Sequence, residues 1–266
     1  MKALVAEHLV VRYGEVEAVR GASFSVGRGE VFGLLGPNGA GKTSVLRVLT
    51  TLIRPHGGRA WVLGHEVGDE PAAVRRLIGY VPQALSADGS LTGRENAMLF
   101  ARLHNLPRAD RRARVDEALD EMGLGPAGGR LARTYSGGMI RRLEIACGLL
   151  HRPPMLLLDE PTVGLDPAAR QAVWSHLHQL RTEAGTTLVV TTHAMEEAEE
   201  HCQRVAILSD GRVRAQGSLD ELKAVGGHAG ESLEAVFLGL VSDEVSTPGE
   251  VIRDVARHRR TARRLG

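Results

Sequence analysis

The 266-residue chain is 43% hydrophobic and 24% charged, with 33 basic against 32 acidic side chains and a net charge of +1. That length can bury a large core, roughly 11,000 Å² exposed when folded against about 41,000 Å² unfolded, and it suits one domain with a lobe or small appendage. The balanced charge excludes a global attraction to nucleic acid or membrane, and Cys147 and Cys202, far apart and without a C-x-x-C pair, argue for a reducing compartment with no disulfide frame or zinc site.

Residues 1–7 carry too little apolar length for a signal peptide, and no run approaches the ~18 apolar residues needed to cross a bilayer. The expectation is a soluble chain that reaches a membrane only through a partner. Residues 3–11 and 16–26 are Val-rich, alternate in character and are broken by Gly14 and Gly21, which predicts antiparallel strands. Tyr13 lies between them, one of nine aromatic residues in the chain. It reads either as a turn-filling side chain or as a ring for stacking on a base.

A strand is predicted over 31–35 and a helix over 44–52. Between them, Gly36-Pro37-Asn38-Gly39-Ala40-Gly41-Lys42-Thr43, followed by Ser44, fits the phosphate-loop pattern G-x-x-x-x-G-K-[ST]. The glycines let the backbone turn tightly and aim N–H groups inward, and the following helix adds the positive end of its dipole. Lys42 offers a point charge to the β- and γ-phosphates of a nucleotide, and the Thr43 hydroxyl offers a ligand for Mg²⁺. The only lysines are Lys2, Lys42 and Lys223, arginine supplying every other cation. A compact ammonium is thus kept at the position where a planar guanidinium fits poorly.

Residues 57–64 read as a strand and turn, and 71–77 as a helix with Pro71 at its first position. Residues 78–82 form a short strand ending at Gln83. From about Ser90 to Leu150 the pattern turns helical. Thr92-Gly93-Arg94-Glu95 is a capping box opening a helix through Leu103. A charged run over 108–122 keeps an apolar stripe at Ala113, Val115, Ala118, Leu119 and Met122. Ser136-Gly137-Gly138, ahead of a helix over 140–150, reads as a plain helix cap or as a second anion-binding mouth.

Residues 154–160 predict a short, buried parallel strand that ends in Asp159 and Glu160. Asp159 suits a Mg²⁺ shell, and Glu160 suits orienting or deprotonating an attacking water. A helix over 168–182 leads to a strand over 186–191, with His193 just past its end at the mouth of the same sheet. A hairpin is predicted over 205–208 and 213–216 around Asp210-Gly211. Beyond about Gly226 come an amphipathic piece, 233–241, and a tail with Arg253, Arg257, Arg259, Arg260, Arg263 and Arg264. That tail reads as a segment for anionic lipid or nucleic acid, or as a solvated terminus.

The order and spacing of these motifs resemble those of an ABC-type ATPase, a nucleotide-binding subunit, over residues 4–225. Tyr13 matches the adenine-stacking aromatic, Gly36 to Thr43 the Walker A loop and Gln83 the Q-loop. Ser136-Gly137-Gly138 match the signature, Asp159 and Glu160 Walker B, Asp166 the D-loop and His193 the switch histidine. The commonest signature begins with Leu and ends with Gln, where this chain has Tyr135 and Met139. Residues 84–96 and the YSGGM signature resemble the branch containing daunorubicin-type drug-resistance ATPases, as does Leu233-Glu234-Ala235-Val236-Phe237-Leu238.

The resemblance implies an α/β fold: a RecA-like P-loop NTPase core of ABC type with an antiparallel β subdomain and an inserted α-helical subdomain. The implied domains are an ATPase domain, 1–225, with core 1–87 and 154–225 and helical subdomain 88–153, then a C-terminal extension, 226–266. It also implies ATP and Mg²⁺ as cofactors. Gly36, Asn38, Gly39, Ala40, Gly41, Lys42, Thr43 and Ser44 would hold phosphates, and Thr43, Gln83 and Asp159 would organise the metal. Glu160 would be the general base, assisted by His193. Ser136, Gly137, Gly138 and Asp166 would meet nucleotide across the interface with a second subunit. The implied partners are a separate polytopic permease and a second ATPase subunit, a homodimer, with no nucleic acid, at the cytoplasmic face of the membrane. The alternative is a soluble ABC ATPase acting on nucleic acid or ribosomes. Those typically carry a long coiled coil, a zinc insertion or two ATPase units in one chain, and none is visible here.

Overall fold

The computed structural model describes residues 1–225 and 232–242. In chain order the elements are β1 (Lys2–Tyr13), β2 (Val16–Gly27), β3 (Val31–Leu35), α1 (Lys42–Leu49), β4 (Gly57–Val62), β5 (His65–Glu66), α2 (Pro71–Leu77) and β6 (Ile78–Val81). Three helices come next: α3 (Gly93–Leu103), α4 (Arg111–Glu121) and α5 (Gly137–Leu149). The chain then runs through β7 (Met155–Asp159), α6 (Pro167–Ala184), β8 (Thr187–Thr192), α7 (Met195–His201), β9 (Arg204–Ser209), β10 (Arg212–Ser218), α8 (Leu219–Val225) and α9 (Leu233–Ser242).

The strands form two sheets. One is antiparallel, in the order β2-β1-β4-β5; the other has the order β10-β9-β3-β8-β7-β6 and is parallel except at its β10 edge. The central strands β3, β7 and β8 are buried along their whole length, as their near-continuous apolar runs require of a sheet covered on both faces. Because side chains alternate along a strand, Leu156 and Leu158 join a core with α3, α4 and α5, while Met155 and Leu157 join a core with α1 and the antiparallel sheet.

Strand register brings three of these ends together. Leu35 pairs with Thr192, and Asp159 pairs with Thr191, so β3, β7 and β8 end level with one another. Their C-terminal ends face the same edge, where open α/β sheets gather their ligands.

Local chemistry accounts for the shifts from the expected boundaries. The helix expected over 140–150 begins at Gly137, because the Ser136 hydroxyl accepts from the Met139 N–H and caps it three residues early. The capping box at Thr92 is present in both directions. The helix expected from 108 starts at Arg111, after a turn in which Asp110 N–H donates to the Pro107 carbonyl. Helices α7 and α8 were not expected from the sequence. The basic tail from Arg253 onward lies outside the described residues.

Candidate active site

The loop between β3 and α1 lines a cleft of about 460 Å³ together with Tyr13, Ala18, Gln83 and Glu160. Glycine is enforced sterically here. A Cβ on Gly36 would lie 2.1 Å from the Leu208 carbonyl oxygen, and one on Gly41, at φ +103°, would lie 2.5 Å from that of Ala18. Asn38 and Gly39 lie on the exposed rim and Ala40 is buried beneath, while Thr43 and Ser44 line the cleft from the first turn of α1.

Lys42 is only 5% exposed. Its Nζ donates to the Gly36 carbonyl at 2.7 Å and the Pro37 carbonyl at 3.1 Å, and pairs with Glu160 Oε1 at 3.2 Å. Glu160, 5% exposed, is where the distant elements meet. Its Oε2 accepts from Gln83 Nε2 at 3.2 Å, and its Oε1 lies 3.3 Å from His193 Nδ1. Residues contributed after β3, β6, β7 and β8 thus converge on one carboxylate.

Glu160 has a left-handed backbone, φ +47°. Such a conformation in a non-glycine persists where the surroundings hold it. Its N–H donates to the Thr191 carbonyl at 3.1 Å and to Thr191 Oγ1 at 2.9 Å, while that same hydroxyl donates to Asp159 Oδ1 at 2.6 Å. Thr191 therefore sets both acids at once. The other oxygen of Asp159, Oδ2, is buried without a hydrogen-bond partner, although the residue is 1% exposed. Asp159 does not itself line the cleft, but an orphaned buried carboxylate oxygen one residue before Glu160, which does, fits a hard cation bound by oxygen, as Mg²⁺ prefers.

Tyr13 is 42% exposed and its hydroxyl accepts from Arg47 Nη1 at 3.5 Å. Burial opposes, but hydrogen bonding with Ser44 and Arg47 prevails and holds the phenol below its usual range. Ser136 and Gly137 are exposed, and Asp166 caps α6 by accepting from the Ala169 N–H at 2.9 Å. None of Ser136, Gly137, Gly138 and Asp166 lines the Lys42 cleft. Tyr135, which replaces the commoner leucine, is buried and donates its hydroxyl to the Ala127 carbonyl at 2.8 Å.

Sequence reasoning missed the residues that hold these ones. Arg141 on α5 donates to the carbonyls of Pro82 at 2.7 Å and Gln83 at 2.9 Å, and pairs with Glu144 at 3.0 Å. Glu144 in turn accepts from the N–H and hydroxyl of Ser86. Burial lowers the Arg141 pKa and raises that of Glu144, as expected of a pair removed from water. The available signal was an i, i+3 pair of opposite charges, Arg141 and Glu144, in a helix whose following residues 145–149 are apolar or glycine.

The family model described as "ABC transporter" matches residues 19–163, more than half of the chain. The chain belongs to the ABC transporter family. A curated relative, the daunorubicin resistance ATP-binding protein DrrA3 of Streptomyces coeruleorubidus, is 47% identical over 226 residues, covering 85% of this chain and 71% of the relative. The linearmycin resistance ATP-binding protein LnrL of Bacillus subtilis is 39% identical over 219 residues, covering 82% and 70%. Among solved structures, a dimeric ATP-binding cassette in a post-hydrolysis state with ADP and Pi is similar at a TM-score of 0.72 and 28% identity, covering 81% of this chain and 98% of that one. This ABC protein is an ATP-binding ATPase whose hydrolysis powers transport. No helix among the described residues is long and apolar enough to cross a membrane.

Proposed function

We propose that the chain energises a separate polytopic permease that exports drug-like or other small hydrophobic molecules, working as a homodimer on the cytoplasmic face of the membrane. The convergence of Lys42, Gln83 and His193 on the Glu160 carboxylate carries the chemical part of this reading. Relatives named for resistance to daunorubicin and linearmycin support the export of drug-like molecules. The division obeys the same logic: an ATPase domain over 1–225, with its core at 1–87 and 154–225 around a helical subdomain at 88–153, and an extension over 226–266.

In this reading the adenine stacks on Tyr13, while Lys42 and the amides of the 36–44 loop hold the phosphates. Thr43, Gln83 and Asp159 would hold Mg²⁺, which neutralises phosphate charge when bound. Glu160 takes a proton from water as that water attacks the γ-phosphorus and the bond to the β–γ bridging oxygen breaks, leaving ADP and phosphate, and His193 contacts the γ-phosphate and stabilises its developing charge. Ser136, Gly137 and Gly138 of a second copy close over the nucleotide, with Asp166 at the same interface. ATP stabilises the closed pair because only that form contacts it from both sides, and hydrolysis removes the bridge.

A second cavity, about 310 Å³, suits the permease contact. It lies between β6 and the helical layer, lined by Leu52, Tyr80, Phe100 and Cys147, and it includes Pro82 and Ser86 on either side of Gln83. Leu52 in its lining is 63% exposed, and Leu85, one residue before Ser86, is 61% exposed. Movement of a docked partner would reach the active site through the Gln83 loop.

Glu160→Gln keeps the shape of the side chain and removes the base. It is expected to lower phosphate release by about 10²–10⁴-fold, roughly 3–5 kcal/mol of barrier. A wild-type rate in that variant would sink the assignment.

A further inference from the structure

Glu197 lies on α7, outside the nucleotide cleft, and is 7% exposed. Its Oε1 accepts from Thr162 Oγ1 and, at 2.7 Å, from Trp174 Nε1; its Oε2 accepts from Thr192 Oγ1 at 2.9 Å. Among the described residues it has no ion-pair partner, so three neutral donors satisfy the carboxylate. Charge-assisted bonds of this kind are stronger and more directional than neutral ones, and a buried carboxylate demands them.

The donors come from three segments. Thr162 stands two residues after Glu160, on the stretch leading to Asp166, and Thr192 stands immediately before His193. Trp174 belongs to α6, which Asp166 caps. Thr192 Oγ1 also accepts from the Ala194 N–H at 3.0 Å, so one hydroxyl grips the turn that carries His193 while reaching Glu197. The carboxylate thereby ties the stretch after Glu160 to the turn that presents His193, and Glu160 Oε1 and His193 Nδ1 sit 3.3 Å apart.

We propose that Glu197 is a positioning residue for ATP hydrolysis, holding Thr162 and Thr192 together so that His193 and Glu160 keep their mutual geometry. This rests on the reading of Glu160 and His193 as the hydrolytic pair. A carboxylate suits the role because it only accepts, and both oxygens are used by donors that face it. Misplacing reacting groups by about 1 Å can cost on the order of 10²-fold in rate. The ties act on turnover and leave the phosphate loop, which binds ATP, untouched.

The test uses the purified full-length chain and three variants that each delete one donor. Thr162→Val and Thr192→Val should lower kcat by roughly 10–100-fold with KM for ATP changed by less than about threefold. Trp174→Phe removes the third donor but leaves both loops tied, so its kcat per folded molecule should stay within about twofold of wild type despite lost stability. Thr192→Val placed in a His193→Ala background should add little further loss, because the two act through one group. A wild-type kcat per folded molecule in both threonine variants would overturn the proposal. So would an equal loss in Trp174→Phe, or losses that track melting temperature across all three. Glu160→Gln in the same assay separates the levels. A wild-type rate there removes the hydrolytic reading itself, whereas loss there beside normal rates in both threonine variants overturns the role of Glu197 alone.

Discussion

Replacing Gly137 or Gly138 by alanine adds the same methyl group one residue apart, with different consequences inside the chain. A Cβ on Gly137 finds its nearest neighbour, Leu165 Cδ2, at 3.6 Å, which is ordinary contact. A Cβ on Gly138 would lie 2.6 Å from the Ala169 Cβ, so the first turns of α5 and α6 would have to separate by about 1 Å, an overpacking that costs about 1–3 kcal/mol. Gly137 starts a helix and has no positive φ, so alanine there is neutral or stabilising by up to about 1 kcal/mol. Thermal unfolding should therefore leave Gly137→Ala at or above wild type and lower Gly138→Ala by several degrees, about 2–4 °C per kcal/mol for a chain of this size. Both should still lose ATP turnover by tenfold or more, roughly 1.4 kcal/mol of barrier each. For Gly137→Ala the cause must then lie outside the monomer, in the proposed contact of the exposed signature with nucleotide held by a second copy. Wild-type turnover and normal ATP-driven dimerisation in Gly137→Ala would refute that arrangement.

Asp159→Asn places an amide where the orphaned Oδ2 sits, beside Tyr80, whose phenol is pushed up to about 12 by burial and by the Asp159 charge. Removing the oxygen proposed to hold Mg²⁺ should raise the Mg²⁺ concentration for half-maximal hydrolysis by about 10–100-fold, and an unchanged metal titration would count against a metal there. His151 should make stability depend on pH. Its Nε2 donates to the Ile78 carbonyl at 2.9 Å, its Nδ1 is buried without a partner, and its ring stacks on His104 at 3.9 Å. Burial, with the neighbouring His104, lowers its pKa from 6.5 to about 4. The folded state binds this proton less readily than the unfolded chain, so the contribution is full above pH 6.5 and is lost as pH falls through about 4. At face value the shift is worth about 3 kcal/mol, and nearer 1–2 kcal/mol after allowing for solvent around a half-buried ring. Equilibrium unfolding between those limits should show a shallower acid slope in His151→Gln, and identical slopes would contradict the account.

The phosphate loop was legible in the sequence because its constraints are local. Backbone that must approach the Leu208 and Ala18 carbonyls requires glycine, and glycine at fixed spacing is visible in one dimension. Strands β3, β7 and β8 were legible for a similar reason, since a sheet covered on both faces demands continuous apolar runs. The supports of the site were not. Arg141 reaches Gln83 from 58 residues away, and nothing in its own helix announces which loop it will hold. Glu197 is one of four glutamates between positions 196 and 200, and only the packing of α7 distinguishes the buried one from the other three. That acid-rich composition also concealed α7, which shows only Met195 and Ala198 as apolar positions among its seven residues. Helix α8 is equally short, and tertiary packing rather than propensity carries a helix of that length.

The most direct test of the central claim is to express tagged, full-length Glu160→Gln in its native cell, add ATP, solubilise the membranes gently and identify what co-purifies. The account predicts a polytopic membrane protein in stoichiometric amount, retained because hydrolysis can no longer release the closed pair. Recovery of ribosomes, nucleic acid or soluble partners alone would contradict the transport role while leaving the ATPase chemistry in place.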